Sequence, residues 1–375
     1  MGHYAQPDVC DKNLEAETDY TDICFYKLKC AMENRGRMSK VHVDESEPTG
    51  GDEFPFEVQE VQIRKDKWVT DEYHIDMVLG KGKFGEVKKC REKRSGRMLA
   101  AKFIDVTCAS DRKDIANEVD IMKSLQHPRL LQLYAAFENK TSFCLVLELI
   151  NGGELFDRVI NDDFILTEKA CVMFLRQICE GVGFMHSKNI LHLDMKPENI
   201  LCLTREGNRI KIIDFGLARK FSPKEDLRVL FGTPEFVAPE VVNFDPINYA
   251  TDMWSIGVIC YVLLSGLSPF MGDTEAETLV NVTTAQWDFN AEEFDSISKE
   301  AKDFISKLLI KDRRKRMSAA ECLEHQWLRR SVKRESHIPE RSLSKKRLRK
   351  FVYRRKWQKA INAMLALRRM GVTLT

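Results

Sequence analysis

Three short motifs between Leu191 and Glu240 constrain this chain more than anything else in it. Leu191-His-Leu-Asp-Met-Lys-Pro-Glu-Asn199 gathers Asp194, Lys196 and Asn199 into one short stretch. Asp214-Phe-Gly216 starts 20 residues after Asp194, and Glu240 of Ala238-Pro-Glu240 comes 26 residues after Asp214. Each tripeptide alone recurs by chance. The ordered set at these spacings does not, so a helical bundle carrying the motifs by coincidence is very improbable.

Upstream, from Tyr73, the apolar pattern reads as strands. Residues 75–79 and 86–90 flank a glycine-rich turn, and residues 98–104, 130–137 and 143–149 give three more. Between them residues 113–125 have helical spacing, with Ile115, Val119, Met122 and Leu125 on one face. Asn151-Gly-Gly153 breaks the chain, and long helical patterns follow at 170–186, 251–265, 299–309 and 318–328. The expected architecture is α+β: a strand-rich small lobe hinged to a helix-rich large lobe.

Gly80-Lys-Gly-Lys-Phe-Gly85-Glu-Val87 has the form G-x-G-x-x-G-x-V. Alone it fits a dinucleotide fingerprint or a plain glycine hairpin. The fingerprint requires the glycines to open a helix. Here a strand follows, which favours a hairpin lid over nucleotide phosphates, with Gly80, Gly82 and Gly85 admitting close approach of backbone N–H groups. A strand lysine such as Lys102 is ordinarily a solvated edge residue. Glu118, however, lies 16 residues further on, in the expected helix. An ion pair between them would hold the ammonium against α- and β-phosphates, a task suited to a compact cation.

With these motifs in order, residues 73–328 resemble the eukaryotic protein kinases. The resemblance implies a bilobal fold, ATP and Mg2+ as cofactors, and a role for each matching residue. Asp194 would accept or orient the substrate hydroxyl proton, and Lys196 would neutralise charge on the transferring phosphoryl group. Asn199 and Asp214 would hold magnesium, which prefers hard oxygen ligands. Gly80, Gly82, Gly85, Val87, Lys102, Glu118, Glu148 and Glu154 would line the nucleotide site. Glu154, Glu198 and Thr233 would meet the protein substrate. Phe215 is expected against the helix carrying Glu118, Asp252 as a brace for the catalytic loop, and Glu240 paired with Arg316.

One departure from the family pattern is informative. Most kinases regulated on the activation segment have His-Arg-Asp, whereas this chain has His192-Leu-Asp194. The missing arginine is the cation that reads a segment phosphate. Between Asp214 and Glu240 the only hydroxyls are Ser222 and Thr233. Activity is therefore expected not to depend on phosphorylation of the segment.

The net charge of +2 hides an uneven distribution. Residues 1–72 carry −8, residues 73–328 carry −4, and residues 329–375 carry +14. The first region reads as an acidic, largely disordered extension, followed by the small lobe at 73–150 and the large lobe at 151–328. The basic remainder mixes cations with large apolar groups, contains no proline after Pro339, and fits a basic amphipathic helix. Such a helix suits calmodulin, a membrane surface or nucleic acid. Trp357, Ile361 and Met364 fall within about 60° of helical arc while Met370 lies far round it, which favours a two-lobed clamp over a flat membrane. Arg354-Arg-Lys-Trp-Gln-Lys359 closely resembles the calmodulin-binding segment of myosin light chain kinases, as do Asn151-Gly-Gly-Glu-Leu-Phe156 and Phe231-Gly-Thr-Pro-Glu235 their counterparts.

That resemblance implies a calcium–calmodulin-activated serine/threonine kinase acting on myosin regulatory light chain. It implies a monomeric, cytoplasmic enzyme working at actomyosin, without nucleic-acid or membrane partners. The eleven scattered cysteines, with no Cys-x-x-Cys pair, fit reduced, mostly buried thiols. Residues 251–300 hold nine acids and one base, which complements both a basic substrate and the basic tail. A tail tethered to the enzyme competes with substrate at high effective concentration, so self-inhibition is expected. Two alternatives stay open: a titin/twitchin-like or death-associated kinase with another substrate, and an inactive calmodulin-binding scaffold.

Overall fold

A computed structural model describes residues 58–82, 85–205, 207–330 and 341–369. The apolar alternation from Tyr73 onward folds into strands, but the small lobe begins earlier than the pattern suggests. β1 (Ile63–Arg64) pairs in parallel with β5 (Leu133–Glu138), Ile63 opposite Ala136. The short helix α1 (Val69–Glu72) buries Val69 with Tyr73 and Phe137. Residues 58–72 thus contribute to the lobe, although the sequence assigns them to the extension. A two-residue strand and a one-turn helix carry no period to read.

The remaining strands are β2 (Tyr73–Gly82), β3 (Gly85–Glu92), β4 (Met98–Asp105) and β6 (Ser142–Glu148). They complete a six-stranded sheet in the order β1-β5-β6-β4-β3-β2. Its first pair is parallel and the other four are antiparallel. Helix α2 (Ala109–Ser124) starts ahead of its apolar stripe because Cys108 and Asp111 cap it, Asp111 Oδ2 accepting from Cys108 N at 3.0 Å. Its inward face, Ile115, Val119, Ile121 and Met122, is buried.

Beyond Gly153 the chain is helical, as the 3.6-residue patterns require. The large lobe contains α3 (Leu155–Ile160), α4 (Glu168–Ser187), α5 (Pro239–Val242), α6 (Tyr249–Ser265), α7 (Glu275–Thr284), α8 (Lys299–Ser306), α9 (Ala319–Glu324) and α10 (Gln326–Arg330). Every residue of α6 from Thr251 to Ser265 is buried, so this helix, apolar all round, forms the lobe's axis. Two short ribbons lie on the face toward the small lobe: β7 (Ile190–Leu191) with β10 (Arg219–Lys220), and β8 (Ile200–Cys202) with β9 (Ile210–Ile212).

The basic tail forms α11 (Lys346–Arg369), whose first half packs on the large lobe. Leu348, Phe351 and Val352, at i, i+3 and i+4, are buried, and the Phe351 ring lies 6.4 Å from that of Phe156. Gly266 ends α6 in the left-handed region at φ +71°, and a β-carbon there would stand 2.2 Å from Leu348 N. The tail backbone therefore seats directly on a position that only glycine leaves open. Among the described residues no helix is long and apolar enough to cross a membrane. Of the eight described cysteines, all free, only Cys108 is exposed.

Candidate active site

The catalytic loop is held by a carboxylate from the large-lobe axis. Asp252 Oδ2 accepts from His192 N at 3.0 Å and Oδ1 from Leu193 N at 2.9 Å, while His186 Nε2 lies 2.8 Å from Oδ2. Burial works against its charge, yet the His186 and His192 contacts hold the Asp252 carboxyl below the usual aspartate range. Both Leu193 (φ +64°) and Asp214 (φ +68°) adopt the left-handed backbone. That conformation costs a non-glycine residue about 1–2 kcal/mol. The two amides gripped by Asp252 hold the loop in it at Leu193. The expected brace is thus in place, and it works through backbone amides.

Asp194 is buried in the loop between β7 and β8. Lys196 Nζ donates to its Oδ2 at 2.6 Å, Asn199 Nδ2 to the same oxygen at 3.0 Å, and Thr233 Oγ1 to Oδ1 at 3.2 Å. Burial and the Asp214 carboxylate push the Asp194 carboxyl up, against the pull of Lys196. Asn199 also donates to Asp194 O at 2.9 Å, which fixes its amide. Its Oδ1 is left buried with no hydrogen-bond partner. A buried hard oxygen without a donor fits a divalent cation. Phe215 is buried in the apolar cluster that holds Val119 and Met122 of α2, its ring 5.6 Å from that of His192.

Across the cleft, Val87 sits opposite Lys102 on the next strand, and Lys102 Nζ reaches Glu118 of α2 at 3.4 Å. Gly85 has a second duty besides phosphate approach: a β-carbon there would strike Phe103 O at 1.8 Å, so glycine is what lets β3 close onto β4. Gly80 and Gly82 pair with Val87 and Gly85 across the hairpin. Glu148 is engaged through its side chain elsewhere, Oε2 lying 2.9 Å from Lys211 Nζ. Glu154 is buried as the N-cap residue of α3 and bridges to Leu201.

The activation segment is anchored by backbone pairing and aromatic packing. β10 pairs with β7, Phe221 N donates to Asn189 O at 2.8 Å, and Tyr249 Oη donates to Asn189 Oδ1 at 2.6 Å. Phe221 packs edge-on against Tyr249 at 4.9 Å, and Leu193 packs on the main core. The segment's far end is pinned by Arg316, whose Nη1 and Nη2 donate to Glu240 at 2.7 and 2.8 Å. Its guanidinium also stacks 4.9 Å from the centre of the Trp254 ring.

The tail's cations pair with carboxylates of the catalytic loop, the activation segment and α3. Arg355 Nε donates to Glu198 Oε1 at 2.6 Å and Nη1 to Glu235 Oε1 at 3.0 Å, with Phe236 5.1 Å beneath its guanidinium. Arg354 pairs with Glu235 at 2.7 Å, Lys356 with Asp157 at 2.7 Å, and Lys359 with Glu198 at 3.3 Å. Burial would raise the Glu198 carboxyl, but Arg355 and Lys359 hold it well below the usual carboxylate range. Further back, Arg347 pairs with Glu293, and Arg349 with Asp162. Trp357, Ile361 and Met364 lie instead on the exposed side of α11. Leu365 joins them at the i+8 position, a fourth member that the tail's apolar spacing already contained. Met370 lies outside the described residues.

Sequence reasoning missed Glu235 as a partner for arginine, although it stands two residues after Thr233, which reaches Asp194. It also missed Leu348, Phe351 and Val352 as a docking face, because their apolar spacing does not differ locally from that of the exposed stripe.

Residues 73–328 match the protein kinase domain family. Over 321 residues the chain is 51% identical to the smooth muscle myosin light chain kinase of Gallus gallus, covering 86% of this chain and 17% of that protein. Against myosin light chain kinase 3 of Homo sapiens the identity is 51% over 318 residues, 84% of this chain and 39% of the relative. The chain thus spans less than half the length of either protein. Among solved structures, a twitchin kinase fragment of C. elegans, described as an autoregulated protein kinase with immunoglobulin domains, matches with TM-score 0.76 and 40% identity over 81% of this chain and 67% of that one. The autoinhibited serine kinase domain of the giant muscle protein titin matches with TM-score 0.72 and 38% identity, over 76% and 88%. Motif order, site geometry and these likenesses agree: the chain belongs to the protein kinase family and is similar to the myosin light chain kinases.

Proposed function

We propose that this kinase transfers the γ-phosphoryl group of ATP to a serine of myosin regulatory light chain and is switched on by calcium–calmodulin, which lifts α11 from the substrate groove. In the transfer, Asp194 takes the proton of the attacking serine hydroxyl. The new bond forms between serine Oγ and the γ-phosphorus as the bond to the bridging oxygen breaks, and ADP leaves. Lys196 neutralises charge on the phosphoryl oxygens, and Lys102, held by Glu118, grips the α- and β-phosphates. Asn199 Oδ1 and Asp214 would hold Mg2+, which would supply positive charge to offset that of the phosphates. Thr233 keeps Asp194 oriented toward the serine.

The observation that supports the regulatory half is the seating of Arg355 on Glu198 and Glu235, while Trp357 and Ile361 remain in solvent. Buried Glu198 and half-buried Glu235, on the catalytic loop and the activation segment, suit the basic residues that precede a target serine. The tail's own arginines take that place. An exposed apolar stripe on the same helix is what a calmodulin lobe would grip. The test is phosphate transfer to purified regulatory light chain with and without calcium–calmodulin. Strong stimulation is expected. Full activity without calmodulin, or none on light chain in its presence, overturns the reading. The fold likeness to twitchin and titin favours a second substrate assignment, which holds if a generic basic peptide is phosphorylated and light chain is not.

A further inference from the structure

A lysine outside the motifs ties the two walls of the cleft together. Lys211 lies on β9, three residues before Asp214, and is 4% exposed. Its ammonium stands 2.9 Å from Glu148 Oε2 and donates to Leu130 O at 3.2 Å. Glu148 closes β6, where the chain crosses from the small lobe to the large, and its Oε2 also accepts from Gln132 N at 3.3 Å. Leu130 belongs to the connection between α2 and β5. That connection is bonded to β9 as well, Leu131 N to Ile212 O at 2.9 Å and Ile212 N to Arg129 O at 2.8 Å. One ammonium thus joins the lobe crossing, the exit of the helix that carries Glu118, and the strand that delivers Asp214.

An apolar side chain would fill this space without the desolvation that a buried ion pair entails. The transfer reaction does not use the group, so its burial points to geometry. A bound nucleotide spans from the lobe crossing to Asp214, and Lys211 is the side chain that fixes one against the other. We propose that Lys211 is a positioning residue: it sets the distance between the lobe crossing and Asp214, and so sets affinity for nucleotide–magnesium rather than for the protein substrate. The inference rests on reading the cleft as the ATP site.

The test uses the full chain and Mg·ADP, with affinity measured by calorimetry alongside KM for ATP and for a basic peptide. Lys211→Met should weaken Mg·ADP and raise KM for ATP about tenfold, leaving the peptide KM within about twofold. Lys211→Arg should recover most of the loss. Should Lys211→Met fail to fold, Lys211→Met/Glu148→Leu removes both charges together and should still bind nucleotide weakly. Wild-type nucleotide affinity in either folded variant, or equal losses for nucleotide and peptide, overturns the proposal. Failure of the wild-type chain to bind Mg·ADP would instead overturn the reading of the cleft.

Discussion

Arg355→Ala tests the seating of the tail at its most buried ion pair. The Arg355 side chain is 14% exposed, Glu198 5% and Glu235 14%. Two hydrogen bonds to charged groups contribute about 1.5–3 kcal/mol each, so about 6 kcal/mol is the ceiling on the loss. Lys359 stays 3.3 Å from Glu198 and keeps that carboxylate from being stranded. The net loss is then about 3 kcal/mol, or about a hundredfold in the ratio of undocked to docked tail. Initial rates on a basic peptide in calcium chelator should rise by up to that factor, bounded by the fully active rate. Arg354, 37% exposed and paired with Glu235 beside the Phe351 ring, should matter far less: about 0.5–1 kcal/mol, a few-fold in rate. If Arg355→Ala stays as silent as the wild type while removal of the tail activates the enzyme, the arginine pair is not what closes the groove. Equal effects from Arg354→Ala and Arg355→Ala would refute the burial argument.

Other outcomes follow from the same geometry. Trp357→Ala should lower calmodulin affinity at least tenfold, since burying such a side chain is worth about 1.5–3 kcal/mol. Calmodulin-free activity should not change, because Trp357 is 68% exposed on the docked helix; a changed basal rate would mean the ring helps to seat it. Asp194→Asn should abolish turnover with an unaltered melting temperature, and near-normal turnover would remove it as the base. Phosphatase treatment and Ser222→Ala should each leave the calmodulin-stimulated rate intact, because β10 and the Phe221–Tyr249 contact hold the segment; a large loss would expose an unrecognised phosphate site. Asp252, with its carboxyl depressed when folded, contributes stability above the ordinary aspartate value of 3.8 and loses it as pH falls through the folded value. The melting-temperature gap between wild type and Asp252→Asn should therefore be widest at neutral pH and close in acid. A pH-independent gap would refute the charge-based brace.

Much of the site was legible because the motifs are local and their order is rigid. Asp194, Lys196 and Asn199 lie within one loop, so their convergence needs no long-range inference. The Glu240–Arg316 pair was also expected, from the resemblance. Residues without a local pattern were not legible. β1 has two residues, and its partner lies more than seventy positions away. Lys211 reads as an alternating strand lysine, and its burial depends on Glu148 and Leu130 arriving from two other elements. Glu148, expected at the nucleotide, also pairs its carboxylate with this lysine, a contact that no local pattern announces. The docking face of α11 was present in the sequence as Leu348, Phe351 and Val352. Nothing local distinguishes those residues from the exposed stripe further along, since which apolar face a helix buries is decided by the surface it meets.

That division along α11 sets an order of events for the proposed switch. Arg355 faces the lobe and Trp357, 200° round a helix at about 100° per residue, faces water. A calmodulin lobe can therefore take hold before the helix lets go, through a transient complex in which the kinase lobe and calmodulin grip opposite sides of the same turn. The observed activation rate should then climb with calmodulin concentration instead of levelling off at the rate of spontaneous undocking. The reverse path benefits equally. When calcium falls, the helix is handed back to the groove without first diffusing free, so shut-off is timed by calmodulin's departure alone.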